Sequence, residues 1–211
     1  MIHDNEIAKQ IAKSLLQINA IILQPNNPFK WASGWNSPIY CDNRKALSYP
    51  KIRDYIKKGL TNIIQSHFKE TNIIAGVATA GIPHGVLVAE ELKLPFIYVR
   101  SKAKGHGREN QIEGFFKKQQ SVVLIEDLIS SGKSSIDAAK TLQNAGMDVK
   151  GIISIFSYGF EAANQNFKDA NLKHMSLSNY KILINEAIKQ NYINQEDQSV
   201  LEKWRKNPSK W

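Results

Sequence analysis

Glu126 and Asp127 are adjacent carboxylates in the middle of the chain, and the small residues Ser130, Ser131 and Gly132 follow them closely. Small residues ahead of a helix allow backbone N–H groups to close around an anion such as phosphate. A carboxylate pair would repel bound phosphate, so the ligand must also carry a group that carboxylates favour. A sugar diol, a magnesium ion or a developing positive charge meets that requirement.

One ligand offers all of these groups: ribose 5-phosphate with a leaving group on its anomeric carbon. Its substitution passes through an oxocarbenium-like state, which needs electrostatic stabilisation and positioning more than a nucleophile from the protein. Two other interpretations use the same residues. Gly132, Lys133 and Ser134 match the end of a nucleotide-binding P-loop, but that motif requires glycine where Asp127 stands. The second interpretation is a buried strand that ends in a solvated turn and binds no ligand, and these residues alone do not exclude it.

The neighbouring elements would place these residues at the edge of a sheet. Residues 122–125 form an apolar, β-branched run, which is typical of a strand buried on both faces of a parallel sheet. We expect this strand to end at the two acids. Residues 133–145 predict a helix that Gly146 stops.

A second segment repeats the order of strand, loop and helix. Residues 72–78 predict a strand, Thr79, Ala80 and Gly81 follow it, and Pro83 suits the first turn of a helix. The carboxyl ends of parallel strands meet at one edge of a sheet, so two anion-binding loops are expected side by side. Two such loops suit a ligand with two separated phosphate groups.

Strands and helices alternate along the rest of the chain. This alternation predicts one α/β domain over residues 1–211, with a parallel-sheet core, helices on both faces and a small N-terminal hood at about 22–50. Asp4 is the expected N-cap of the first helix. Further strands are predicted at 95–99, 149–156 and 172–177, and helices at 4–22, 50–67, 161–167, 179–190 and 195–206.

Residues 100–114 are crowded with cations and glycines and show no apolar periodicity. The segment therefore predicts a mobile loop without regular structure. Beside an acidic ribose site, a cationic loop can fold over a departing pyrophosphate, neutralise its charge and exclude water.

Composition is that of a globular enzyme: 211 residues, 42% hydrophobic and 22% charged. The formal net charge of +9 suits either nucleic acid or a substrate with several phosphate charges. No RNA-binding aromatic signature accompanies the basic segments, so we expect no nucleic-acid partner, and we interpret the basic C-terminal residues 203–210 as a solvated end. Cys41 is the only cysteine, and no apolar run approaches a membrane span, so we expect a cytoplasmic protein.

The run VVLIEDLISSGKS resembles the phosphoribosyl pyrophosphate motif of type I phosphoribosyltransferases. Two other segments, SGWNSPIYCDNR and VRSKAKGHGRENQIEG, stand in the order and spacing of orotate phosphoribosyltransferases, and the resemblance covers about residues 22–161. It implies transfer of a phosphoribosyl group from phosphoribosyl pyrophosphate to orotate, with magnesium, in pyrimidine synthesis. It also implies a homodimer in which each loop closes over the neighbouring subunit's site.

The resemblance also implies a role for each matching residue. Glu126 and Asp127 would hold the ribose hydroxyls and stabilise positive charge on the ring, with Lys104 and His106 as the other catalytic candidates. The 5-phosphate loop would comprise Leu128, Ile129, Ser130, Ser131, Gly132, Lys133 and Ser134, with Ser130 also facing orotate. The pyrophosphate would contact Arg100, Lys104, His106 and the backbone of Thr79, Ala80 and Gly81. Magnesium would be held mainly by the substrate.

This chain departs from the family pattern in the residue that would bind the orotate carboxylate. Other branches of the family use an arginine after the strand that follows the central motif, and residues 155–161 contain none. We expect Arg44, or backbone N–H groups near Ser33 and Gly34, to take this role. A phosphoribosyltransferase for a purine or for uracil remains an alternative, as does a non-catalytic regulator that senses phosphoribosyl pyrophosphate.

Overall fold

The computed structural model describes residues 1–31, 34–102 and 111–208. A six-stranded sheet forms the centre. In chain order its strands are β5 (Ile73–Val77), β6 (Phe96–Val99), β7 (Ile112–Glu113), β8 (Ser121–Ile129), β9 (Asp148–Ser157) and β10 (His174–Asn179). Their spatial order is β10-β9-β8-β5-β6-β7. Five strands are parallel, and β7 alone runs antiparallel to its neighbour β6.

Helices cover both faces of this sheet. Every residue of β5 is buried, and because successive side chains of a strand point to opposite faces, both faces must be covered. The helices are α1 (Asn5–Gln17), α2 (Pro50–His67), α3 (Gly81–Leu92), α4 (Lys133–Asn144), α5 (Glu161–Asp169), α6 (Tyr180–Lys189) and α7 (Asp197–Lys206). Helix α3 packs on β5 and β8, α4 packs on β8 and β9, and α1 and α6 pack on β10. The predicted α/β fold is confirmed.

The hood consists of two antiparallel ribbons and a 3₁₀ helix. Strand β1 (Ile21–Leu23) pairs with β4 (Ile39–Cys41), and β2 (Phe29–Lys30) pairs with β3 (Asn36–Ser37). The 3₁₀ helix Asn43–Ser48 then leads into α2. We refer to the segment from β1 to the end of this 3₁₀ helix as the hood.

Two predicted boundaries were wrong for the same physical reason. The first helix was expected to reach residue 22 but ends at Gln17, where Asn19 adopts a φ of 53° and Ala20 N–H donates to the Leu15 carbonyl. Asn171, at φ 52°, ends α5 similarly, so the last strand begins at His174 and not at residue 172. Asparagine tolerates this left-handed conformation, which closes a helix.

The prediction of an irregular loop over residues 100–114 was wrong for the last residues of that range. Ile112 and Glu113 form β7, which pairs with Val99 and Tyr98 of β6. The Arg100 N–H also donates to the Gln111 carbonyl, so the pairing continues one residue beyond β6 and β7. Ladder hydrogen bonds to β6 satisfy backbone groups that a solvated loop would expose.

The C-terminal helix is not simply a solvated end. Trp204 of α7 is fully buried, and its indole N–H donates to the Asn36 carbonyl at the tip of the hood, 3.2 Å away. Its ring lies 5.5–5.8 Å from those of Trp31, Tyr158 and Phe160. Helix α7 therefore anchors the hood to the sheet. None of the helices in the described part of the chain has both the length and the apolar character needed to cross a bilayer.

Replacing Trp204 with alanine should destabilise the protein strongly. The change removes a fully buried indole and its hydrogen bond to the hood, and buried aromatic-to-alanine changes cost about 3–5 kcal/mol. Urea unfolding followed by circular dichroism measures the loss. Phe115→Ala is the matched control, because that side chain is 79% exposed and should change stability by less than about 0.5 kcal/mol. Equal losses in both variants would contradict the anchoring role.

Candidate active site

The two acids lie inside strand β8 and do not end it. Strand β9 continues alongside them and pairs as far as Ile129 opposite Ser157, so the strand extends past the predicted end. Glu126 is only 6% exposed, whereas Asp127 is half-buried. Both oxygens of Glu126 accept hydrogen bonds: Oε2 from the Ser135 hydroxyl at 3.0 Å and Oε1 from the Asp127 N–H at 3.0 Å. The protein thus fixes the Glu126 carboxyl before any ligand binds.

Burial controls the protonation of this pair. Loss of hydration, followed by the charge of neighbouring Asp127, raises the pKa of Glu126 to about 8 from its ordinary value of 4.5. The hydrogen bond from Ser135 opposes that rise in part. Burial also raises the pKa of Asp127. The pair therefore holds a proton at neutral pH when no ligand is present.

The connection predicted to be a phosphate loop is shorter than expected. Leu128 and Ile129 belong to β8, and Lys133 and Ser134 already lie in α4, so Ser130, Ser131 and Gly132 alone connect strand and helix. The loop presents its backbone at the N-terminus of α4, where helical N–H groups have no partner within the helix.

Contacts from α5 hold this loop in place. The Asn166 amide donates to the Ser131 carbonyl at 3.0 Å. Gly132 adopts a φ of 79°, and a Cβ there would lie 2.7 Å from the Phe167 ring, so only glycine fits.

The second predicted loop lies directly beside the acid pair. Ala78, Thr79 and Ala80 connect β5 to α3, and the peptide bond between Ala78 and Thr79 is cis. Helix α3 begins at Gly81, where a Cβ would overlap the Ile125 carbonyl oxygen of β8. This close approach brings the start of α3 against the strand that carries both carboxylates, as the expectation of two adjacent loops requires.

A cavity of about 430 Å³ joins three of the predicted segments. Its lining includes Ala78 next to the second loop, Ser131 and Lys133 at the first, and Arg100. The Arg100 Nη1 atom is buried, has no hydrogen-bond partner among the described residues, and lies 3.6 Å from the Glu113 carboxylate. A guanidinium beside two anion-binding loops can take a phosphate group.

Arg44 lies in the hood, with its side chain 63% exposed. Its Nε atom donates to the Asp42 carboxylate at 2.6 Å. The segment 155–161, which lacks an arginine of its own, receives one from α7: Arg205 donates to the Gly159 carbonyl at 3.0 Å. Arg205 is thus held by the backbone at the carboxyl end of β9.

Several predicted site residues lie outside the described ranges. They are Lys104 and His106 of the loop and Ser33 of the hood. Among the described residues, no three His, Cys, Asp or Glu side chains converge as a metal site. Two adjacent carboxylates suit magnesium that takes its remaining ligands from substrate phosphates and water.

Comparisons with known proteins agree with this geometry. The family model described as "Phosphoribosyl transferase domain" matches residues 45–191. The orotate phosphoribosyltransferase of Cytophaga hutchinsonii is 52% identical over 203 residues, which cover 96% of this chain and 97% of that protein. The chain belongs to the orotate phosphoribosyltransferase family.

Other members and structures support the same assignment. The orotate phosphoribosyltransferase of Listeria innocua is 51% identical over 205 residues, covering 97% of this chain and 98% of that protein. The crystal structure of orotate phosphoribosyltransferase from Aeropyrum pernix superposes with a TM-score of 0.75 at 26% identity, covering 87% of this chain and 99% of that one. These are enzymes of the type I phosphoribosyltransferase fold.

Two buried polar residues that contact the acid pair were missed by the sequence analysis. Ser135 donates to Glu126, and Asn43 donates from the hood to the Asp127 carbonyl. Ser135 lies in the third position of α4, where a serine carries no signal of its own. Asn43 is distant in sequence from Asp127, so only the tertiary fold brings the two together.

The raised pKa of Glu126 predicts a pH-dependent stability. Because the folded-state pKa is about 8 and the ordinary value is 4.5, the folded protein keeps a proton that the unfolded chain releases. This contribution to stability is complete below about pH 4.5 and is lost as the pH rises through about 8. We expect the free energy of unfolding of the wild type to fall, relative to Glu126→Gln, across this window.

Urea titrations at several pH values measure the difference. Glu90→Gln, at an exposed glutamate of α3, is the matched control and should parallel the wild type. Parallel curves for Glu126→Gln and the wild type would contradict the protonation assigned to Glu126.

Proposed function

We propose that this chain transfers the phosphoribosyl group of phosphoribosyl pyrophosphate to orotate at the edge of the sheet beside Glu126 and Asp127. The observation that carries the proposal is a pair of adjacent carboxylates, one buried and one half-buried, flanked by two strand-to-helix loops in a chain of the orotate phosphoribosyltransferase family. The pair would contact the ribose hydroxyls, and the flanking loops would bind the two phosphate ends of the same ligand.

Chemistry at the anomeric carbon needs charge stabilisation. As the bond from that carbon to pyrophosphate breaks, positive charge develops on the ring, and Asp127 stabilises it across a short distance in a partly buried site. A ring nitrogen of orotate then forms the new bond to that carbon and loses its proton, which passes to the departing pyrophosphate or to water. Glu126, held by Ser135 and the Asp127 N–H, keeps its orientation throughout.

Backbone groups and cationic side chains bind the two phosphate ends of phosphoribosyl pyrophosphate. Ser130, Ser131 and Gly132, with Lys133 and Ser134 at the start of α4, bind the 5-phosphate. The backbone of Thr79, Ala80 and Gly81, together with Arg100, Lys104 and His106, binds the pyrophosphate. Glu126 and Asp127 would offer carboxylate oxygens to magnesium, and the ion would neutralise charge on the leaving pyrophosphate.

The orotate carboxylate needs a cationic or N–H partner. Arg44 binds Asp42 through Nε, which leaves its terminal guanidinium nitrogens to a ligand. Backbone N–H groups near Ser33 and Gly34 are the alternative partner for the carboxylate, and Ser130 would also face orotate. The relatives favour orotate over a purine or uracil and an enzyme over a regulator, since about half of all positions are identical over nearly the full chain.

We propose a homodimer with shared sites, in which Lys104 and His106 of one subunit act at the acid pair of the other. The cytoplasmic location expected from the sequence also stays a prediction.

Asp127→Asn should preserve the fold but lower turnover by about 10²-fold or more, as expected when a key electrostatic contact to a transition state is lost. Conversion of orotate to its nucleotide changes the ultraviolet absorbance, which gives a continuous assay. Asp169→Asn, at an exposed residue of α5, is the control and should keep wild-type turnover. Near-normal turnover of Asp127→Asn would remove Asp127 from the chemistry.

Shared sites predict that two nearly inactive variants restore activity when they form hybrid dimers. In a hybrid of Lys104→Ala with Asp127→Asn, one site collects both lesions and the other is intact. Random reassortment makes about half of the dimers hybrids, so activity should approach roughly a quarter of the wild type.

The measurement requires subunit exchange by co-expression or mild denaturation and refolding. Each variant refolded alone is the control and should stay inactive. Hybrids that form but show no recovery would place loop and acid pair in the same subunit while leaving the chemistry intact.

A further inference from the structure

A hydrogen bond connects the hood to the main chain of β8, the strand that carries Glu126 and Asp127. Asn43, at the start of the hood's 3₁₀ helix, is fully buried. Its Nδ2 atom donates to the carbonyl oxygen of Asp127, 2.8 Å away. Asn43 therefore contacts the backbone of a proposed catalytic residue.

This bond lies where β8 has lost a strand neighbour. Strand β5 is registered with β8 only as far as Gly76 opposite Ile125, and Asp127 lies two residues beyond that point. A buried backbone carbonyl without a partner costs about 1–3 kcal/mol. The amide of Asn43 supplies the partner that β5 would otherwise provide.

The orientation of the Asn43 amide is itself fixed. Its Oδ1 atom accepts the thiol of Cys41 at 3.4 Å, which directs Nδ2 to Asp127. Burial, followed by the charge of Asp127, raises the pKa of the Cys41 thiol, so the thiol keeps the proton that it donates. Asp42 accepts the Arg44 N–H at 3.3 Å and caps the 3₁₀ helix, so the residues on either side of Asn43 are also held.

We propose that Asn43 is a positioning residue, which couples the hood to the Asp127 backbone and so fixes where that carboxylate meets the sugar. The inference rests on the role proposed above for Asp127. Its consequence is that the part of the chain assigned to orotate and the part assigned to ribose keep one relative position. A small displacement between them would separate the reacting atoms.

The first variant is Asn43→Ala, which removes the amide. We expect the single-turnover rate of phosphoribosyl transfer to fall about tenfold, the rate equivalent of one hydrogen bond, with smaller changes in the binding of either substrate. Ser37→Ala is the matched control. Ser37 is also fully buried in the hood, but its hydroxyl donates within the hood, to the Ile39 carbonyl at 2.9 Å. Its transfer rate should stay at the wild-type value.

The second variant, Asn43→Asp, separates positioning from stability. A protonated Asp at this position can still donate an O–H to the Asp127 carbonyl, whereas an ionised one cannot and would repel it. The transfer rate of Asn43→Asp, divided by the wild-type rate at the same pH, should therefore rise as the pH falls from about 8 to 5. The same ratio for Asn43→Ala should not change with pH. Asn43→Asp keeps the size of the side chain and carries the test by itself if Asn43→Ala does not fold.

Three results would overturn this inference: an Asn43→Ala rate equal to the wild type, an Asn43→Ala rate equal to that of Ser37→Ala, or a pH-independent ratio for Asn43→Asp. Failure of the proposed function is distinguishable from these. A wild type that does not convert orotate would refute the reaction, and an Asp127→Asn variant with normal turnover would refute the role of Asp127. A fully active Asn43→Ala beside an inactive Asp127→Asn refutes the coupling alone.

Discussion

Burial of a carboxylate pair inside a parallel strand is the constraint on which the rest of the site depends. Glu126 is almost fully removed from water, so its oxygens must find donors within the protein. The Asp127 N–H and the Ser135 hydroxyl meet that need. Ser135 can do so only if α4 begins close to the end of β8, which limits the connection between them to three residues. The short connection between β8 and α4 is thus tied to the burial of Glu126.

The regular part of the fold could be predicted because its signals are local. Helix α2 begins at Pro50 and ends at His67 as expected, and Asp4 caps α1 by accepting the N–H groups of Glu6 and Ile7. The order of strand, loop and helix around the two acids could also be predicted, because it depends on residue types that are close together in the sequence.

What could not be predicted depends on contacts between distant segments. The length of β8 is set by pairing with β9, and no feature of residues 126–129 indicates that this pairing continues. Asn19 and Asn171 end helices because each happens to adopt a left-handed conformation, which asparagine permits without requiring it. Trp204 occurs in a segment rich in cations, so its burial under the hood leaves no mark in the local pattern.

Shared protonation resolves the conflict between a carboxylate pair and a phosphorylated ligand. With burial raising the pKa of both acids, the empty pair carries less than its full negative charge at neutral pH, which lowers its repulsion of an approaching phosphate. In the reaction proposed above, positive charge on the ribose ring would favour the ionised form of the pair, and the proton would pass to water. The hydrogen bonds from Ser135 and the Asp127 N–H would hold Glu126 in place through that change.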